Sequence, residues 1–161
     1  MRNLVRSIVL LLALGLSEPV LAGPREDANA AYQKQDYATA LRLLRQLADQ
    51  GDAWAQFNLG VMYVNGRGVP KDAVQAVKWY RLAADQGNAT AQSNLGGMYA
   101  SGQGVPKDYV LAYMWRNLAA AAASDADIRE QAVKAREALA TMMTPAQVAE
   151  AQRMSRQWQP K

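Results

Sequence analysis

Neither cysteine nor histidine occurs in the chain, so any nucleophile, base or metal ligand must be a carboxylate, an amine or a hydroxyl. Thiolate chemistry, a Ser-His-Asp triad, a His-bearing zinc site and a Cys-held cluster are all excluded. No Ser-x-x-Lys pair places an amine beside a serine nucleophile. The carboxylates fall into two groups. Asp52, Asp72 and Asp108 stand where helices should start and are accounted for as N-caps. Glu130, Glu137 and Glu150 lie toward the C-terminus, the first two about two helical turns apart. A carboxylate pair at the right separation would hydrolyse an envelope glycan, yet nothing in the pattern selects one. Oxygen-only zinc or calcium binding would need a ligand motif, and none is present. The expectation is a protein without catalysis, cofactor or metal, whose chemistry is recognition.

The elements that must position a recognition surface come from an internal repeat. Residues 51–86 and 87–122 are identical at 21 of 36 positions, including Gly51, Ala55, Asn58, Leu59, Gly60, Tyr63, Gly66, Gly68, Pro70, Asp72, Ala76 and Trp79. Each copy reads as two antiparallel helices. Asp52 caps the first, which carries Ala55, Leu59 and Tyr63 on one face. Gly60 removes a side chain where the second helix crosses. Gly66 ends the helix in the left-handed conformation, and Pro70 blocks helix just before it. Asp72 caps the second helix with Gln75 at N3, a capping-box spacing. Its Ala76, Trp79, Tyr80 and Ala83 should face the first helix. A degenerate hairpin precedes these copies: Asp36–Ala40 and Ala48–Gly51 align with Asp72–Ala76 and Ala84–Gly87, and its first helix lies around Glu26–Lys34. After Ala123 the pattern stops. A helix starting at Asp125 or Asp127 and running to about Met142, then one starting at Thr144-Pro145 with Gln147 at N3, read as a C-terminal cap.

The run Ala55-x3-Leu59-Gly60-x2-Tyr63-x2-Gly66-x-Gly68-Val69, followed by Asp72-x3-Ala76-x2-Trp79-Tyr80-x2-Ala83-Ala84-x2-Gly87, resembles a Sel1-like repeat. The copy from Ala91 to Ala122 is similar, with Arg116 in place of the second aromatic. The resemblance implies an all-α chain: a short right-handed solenoid of antiparallel helix pairs, related to tetratricopeptide repeats, with a C-terminal helical cap. It also implies an exported bacterial protein that acts as an adaptor or regulator by holding another protein. Some members are Cys-rich and have been linked to β-lactams; a chain without Cys does not inherit that link.

Positions that differ between the copies are the better guide to binding. The tetratricopeptide frame puts Trp54, Phe57, Val61, Val64 and Asn65 on the concave face of one helix, and Thr90, Ser93, Gly97, Ala100 and Ser101 on that of the next. A bulky side chain or helix of a partner would sit across the step from large to small. Packing of Trp54 and Phe57 against the first hairpin is the competing fate. Asn58 and Asn94, at equivalent sites, would grip a peptide backbone or bond their own loop. The candidate protein-binding set is Trp54, Phe57, Asn58, Val61, Val64, Asn65 and Asn94. Arg42, Arg45, Lys78 and Arg81 align along the second helices, and Arg45–Asp49 and Arg81–Asp85 have i,i+4 spacing. The four basic residues would form a basic convex ridge for lipid or peptidoglycan, or a solvated face with ion pairs in the weaker order. The solvated face is the expected reading, since Met114 and Asn117 break the ridge.

The N-terminus reads as an address. Arg2 and Arg6 precede the apolar run Ser7–Leu16, Pro19 breaks it, and Val20-Leu21-Ala22 offers a cut after Ala22. The run is shorter than the roughly 20 residues of a membrane span. There is no Arg-Arg pair, and no Cys stands near the cut to take a lipid. A Sec-type leader, and hence a periplasmic or secreted protein, is expected; the alternative is an uncleaved anchor. The organisation is then 1–22 signal peptide, 23–50 degenerate hairpin, 51–86 and 87–122 repeats, and 123–161 capping helices. The net charge of +4 is small and dispersed, which argues against nucleic acid. The expected partner is another protein or peptide in the cell envelope. A structural protein that touches peptidoglycan or a second copy of itself is the alternative.

Overall fold

The caps set the elements. In the computed structural model, which describes residues 23–161, Asp52 accepts a hydrogen bond from the Ala55 amide and starts α3, Ala53–Asn65. Asp72 does the same for α4, Ala73–Asp85. Asn88 and Asp108 repeat the arrangement for α5, Ala89–Ser101, and α6, Tyr109–Ala122. Each oxygen satisfies one amide that the first helical turn leaves free. Gly66 and Gly102 close α3 and α5 with φ of 69° and 75°, a conformation that a side chain would disfavour. The first hairpin pairs α1, Pro24–Gln33, with α2, Tyr37–Asp49. α7, Ala126–Ala140, starts at Asp125. α8, Pro145–Gln157, opens on a full capping box between Thr144 and Gln147. The expected leader, residues 1–22, lies outside the described residues.

Eight helices and no strand occur among the described residues. They form a solenoid in which each helix packs on its successor, until α7 and α8 both pack on α6. Pockets lie between α1 and α3 and between α3 and α5, on the side that the tetratricopeptide frame makes the inner face, with α2, α4 and α6 on the outer. No described helix is long and apolar enough to cross a membrane. Alanines sit at the crossings: Ala40, Ala55, Ala76, Ala83, Ala91, Ala112 and Ala119 are wholly buried, and their small size lets the backbones approach. Leu44, Leu59 and Met62 fill one core and Tyr80, Leu95, Trp115 and Leu118 a second. Each fully buried large side chain contributes about 1.5–3 kcal/mol.

The repeats share a polar joint. Gln56 Nε2 donates to the Ala48 carbonyl at 3.3 Å, and Gln92 Nε2 donates to that of Ala84 at 3.1 Å. Each of these carbonyls, at the end of the preceding helix, also accepts from the Gly51 or Gly87 amide, so the glutamine adds a second bond that ties the new helix to the old one. Gln86 completes the first joint by donating to Gln56 Oε1 at 2.8 Å. Its counterpart one repeat later is Ala122, and Gln92 Oε1 is buried without a partner. In the cap, Trp158 sets its ring edge-on to Trp115 at 6.3 Å. The Lys161 amide donates to the Asp85 carbonyl at 2.8 Å.

Three local readings change. Gln75 makes no return bond to the Asp72 backbone, so only half of that capping box forms. α7 stops at Ala140 rather than Met142. The outer arginines do not pair with the aspartates on their own helices. Arg45 Nη2 reaches the Tyr63 hydroxyl at 3.3 Å. Arg81 donates to the Tyr99 hydroxyl and lies 5.1 Å over the Trp115 ring. For Arg81 a partly buried contact with aromatics of the following helices outcompetes an ion pair in the weaker sequence order; Arg45 stays exposed and reaches its tyrosine at the surface. Asp85 is thereby left to Lys161, at 3.3 Å.

Candidate functional site

Trp54, Phe57, Asn58 and Val61 follow one another at i, i+3, i+4 and i+7 along α3, so they share a stripe. Opposite stand Ala28, Asn29 and Tyr32 of α1, and Leu44 of α2 forms the floor. Together they bound a cleft of about 250 Å³. α1 and α3 each pack against α2 and diverge from one another, which opens the cleft on the inner face. Trp54 and Phe57 are half-buried. Trp54 packs on the Leu44 core, while Phe57 stacks on Tyr80 with ring centres 5.9 Å apart. Each ring thus has one side in a core and another on the cleft; Trp54 packs on the first hairpin, whereas the core contact of Phe57 is with its own repeat. Tyr32 is held by Arg67 of the α3–α4 loop, whose Nη1 donates to its hydroxyl at 2.5 Å. Asn58 Nδ2 donates to the Trp54 carbonyl at 2.8 Å, a bond within its own helix.

A second pocket, of about 270 Å³, lies between α3 and α5. Val64, Tyr80, Asn94, Gly97, Met98 and Arg116 line it. Burial pushes the Tyr80 phenol up to about 12, against a smaller opposing effect of the Asn94 amide at its hydroxyl. Burial lowers the Arg116 pKa from its ordinary value. Four of the seven sequence candidates therefore meet in the first cleft, and Val64 and Asn94 meet in the second. Asn65 is exposed at the end of α3 and lines neither. Tyr32 and Arg116 were not among the candidates. The degenerate first hairpin hid the tyrosine. The arginine was visible only as a departure from the repeat.

Glu130 pairs with Lys134, Glu150 pairs with Arg153 at 2.5 Å, and Glu137 lies 4.0 Å from Arg136.

The Sel1 repeat model matches residues 28–52, 55–88 and 89–124. The chain belongs to the Sel1 repeat family. The first match falls on the hairpin whose sequence reads as degenerate, so three repeats precede the cap. One similar solved structure is a protective antigen present in uropathogenic Escherichia coli strains, with an SLR fold. It is 34% identical with a TM-score of 0.75, over 85% of this chain and 30% of that one. Another is a Sel1 repeat protein from Oxalobacter formigenes, 29% identical with a TM-score of 0.58, over 83% of this chain and 63% of that one. The chain thus spans less than a third of the first and under two thirds of the second. The search of curated proteins found no match. Sel1 repeats generally mediate protein–protein interaction and are typically non-enzymatic scaffolds.

Proposed function

We propose that this Sel1 repeat chain is an exported adaptor, periplasmic or secreted, that holds a protein or peptide segment in its inner groove. The observation that carries the reading is the cleft between α1 and α3. Tyr32, Trp54 and Phe57 present ring surface there around a space of about 250 Å³, enough for an apolar side chain. Half-buried aromatics fixed from behind lose little freedom when a partner covers them, which is the usual physics of a binding hot spot. Export is supported by the leader-like residues 1–22 and by the similarity to an E. coli protein that is a protective antigen.

A photoreactive residue at position 57 of the full chain, crosslinked in cells and read by mass spectrometry, tests the binding reading. One dominant protein adduct, lost when Trp54 is changed to Ala, is the expected result. No protein adduct, together with retention on purified cell-wall sacculi, would overturn it in favour of a structural envelope role. Fractionation should release a form lacking residues 1–22 on osmotic shock. Full-length protein confined to the membrane fraction would refute export of that kind.

A further inference from the structure

Three of the positions at which the two complete repeats differ come together around Arg116. Where the first has Phe57, Val61 and Tyr80, the second has Ser93, Gly97 and Arg116. In the first, Phe57 stacks on Tyr80. In the second, Arg116 Nη1 donates to Ser93 Oγ at 2.5 Å. The arginine stem runs against Gly96, where a Cβ would come within 3.1 Å of its Cγ. Its Nη2 lies 3.0 Å from where a Cβ on Gly97 would stand. A valine at that place would close over the guanidinium. An aromatic pair has thus been exchanged for a cation, a neutral acceptor and a glycine that leaves the cation open to the groove.

Packing does not ask for that charge, since Tyr80 fills the equivalent place by stacking. Burial works against it and lowers the pKa. No carboxylate among the described residues forms an ion pair with Arg116. Ser93 answers one of its five N–H donors. A partly buried cation without a counter-ion is unfavourable unless an anion completes it. The second pocket opens at this point, and the Asn94 amide stands beside it.

We propose that Arg116 receives a carboxylate of the bound peptide in the inner groove, with Asn94 as a second polar contact. The carboxylate is an Asp or Glu side chain or a free C-terminus; the planar fork of guanidinium matches either. The inference rests on the groove reading and adds to it: the cleft between α1 and α3 takes an apolar side chain, and the pocket between α3 and α5 takes the acid.

The test offers the immobilised full chain three random nonapeptide pools: one with free C-termini, the same pool amidated, and an amidated pool without Asp or Glu. Mass spectrometry reads what is retained. The parent should enrich carboxylate-bearing peptides over the acid-free pool by about tenfold. The amidated pool separates side-chain from terminal carboxylates. Arg116→Gln should abolish the preference while retaining apolar peptides through the first cleft. A triple variant, Ser93→Phe with Gly97→Val and Arg116→Tyr, copies the first repeat's trio and should behave alike; circular dichroism checks that both are folded. Peptide binding with no carboxylate preference in the parent overturns this inference and leaves the groove reading standing. So does a preference that survives in either folded variant. Retention of no peptide at all overturns both.

Discussion

Replacing Gly60 by alanine adds one methyl group where α3 crosses α4. A Cβ there would lie 2.5 Å from both Cδ1 and Cε1 of Tyr80 and 3.1 Å from its Cγ. The atoms in the way belong to a ring that is 3% exposed, stacked on Phe57 and bounded by Asn94. It is not the free end of a flexible chain, so the ring must shift by about 1 Å and disturb both neighbours. Overpacking against a buried ring that cannot swing aside falls in the upper part of the usual range, about 2–3 kcal/mol. Alanine in place of glycine in a helix interior returns about 1 kcal/mol, so the net loss should be about 1–2 kcal/mol. Gly96→Ala meets the Ala112 carbonyl at 3.0 Å and the flexible Arg116 stem, and should lose less, about 0–1 kcal/mol. Gly97→Ala meets only the mobile end of Arg116 and should be neutral or gain up to about 1 kcal/mol. Urea denaturation of the three variants gives the order directly. In the double variant Gly60→Ala with Tyr80→Leu, a smaller side chain receives the methyl, and part of the loss should return as coupling between the sites. A Gly60→Ala variant as stable as the parent, or a series in which all three gain equally, would show that the crossing has slack and that the reasoning is wrong.

Phe57→Ala should weaken partner binding by about 2 kcal/mol and lower stability by about 1–3 kcal/mol, less than for a wholly buried ring; calorimetry with the crosslinked partner and a urea titration separate the two. Tyr80 contributes a defined alkaline dependence. A raised phenol pKa adds stability that is fully present below 10.0 and lost as pH rises through about 12. Comparing urea midpoints at pH 8 and pH 11.5, Tyr80→Phe should escape about 1–2 kcal/mol of the decline that the parent shows. Trp158→Ala removes the edge contact with Trp115 and should lower the melt by the equivalent of about 2–3 kcal/mol; an unchanged melting temperature would mean that the end of the cap contributes nothing to the solenoid.

The fold was legible because its signals are local and occur twice. Asp52, Asn88, Asp72 and Asp108 mark helix starts by residue type alone, and Gly66 and Gly102 mark ends, so the period of 36 converts directly into hairpins. The crossing at Gly60 followed from the same logic. The site was less legible because its walls come from different hairpins. The α3 stripe from Trp54 to Val61 could be read from helical spacing, but Tyr32 comes from a helix with little periodic signal. Arg45 and Arg81 were misread for a related reason. A spacing of four residues suggested ion pairs, while the contacts made run 18 residues ahead, to Tyr63 and Tyr99. That both arginines keep the same 18-residue offset was the available clue. Arg116 entered as a blemish in the repeat, and only the contact with Ser93 shows that the two departures belong together.

The glutamine joints bear on how such a chain can change its reach. Gln56 and Gln92 seize the end of the preceding hairpin in the same way, through Ala48 and Ala84. A duplicated unit spliced between residues 86 and 87 would present an identical alanine carbonyl on one side and an identical glutamine on the other. It would also bring a copy of Gln86 to its own second joint. Length is therefore a counted quantity for this architecture. The inner surface can be extended by whole units without redesign of any contact, and each added unit is free to diverge at its inner positions, as Phe57 and Ser93 already have.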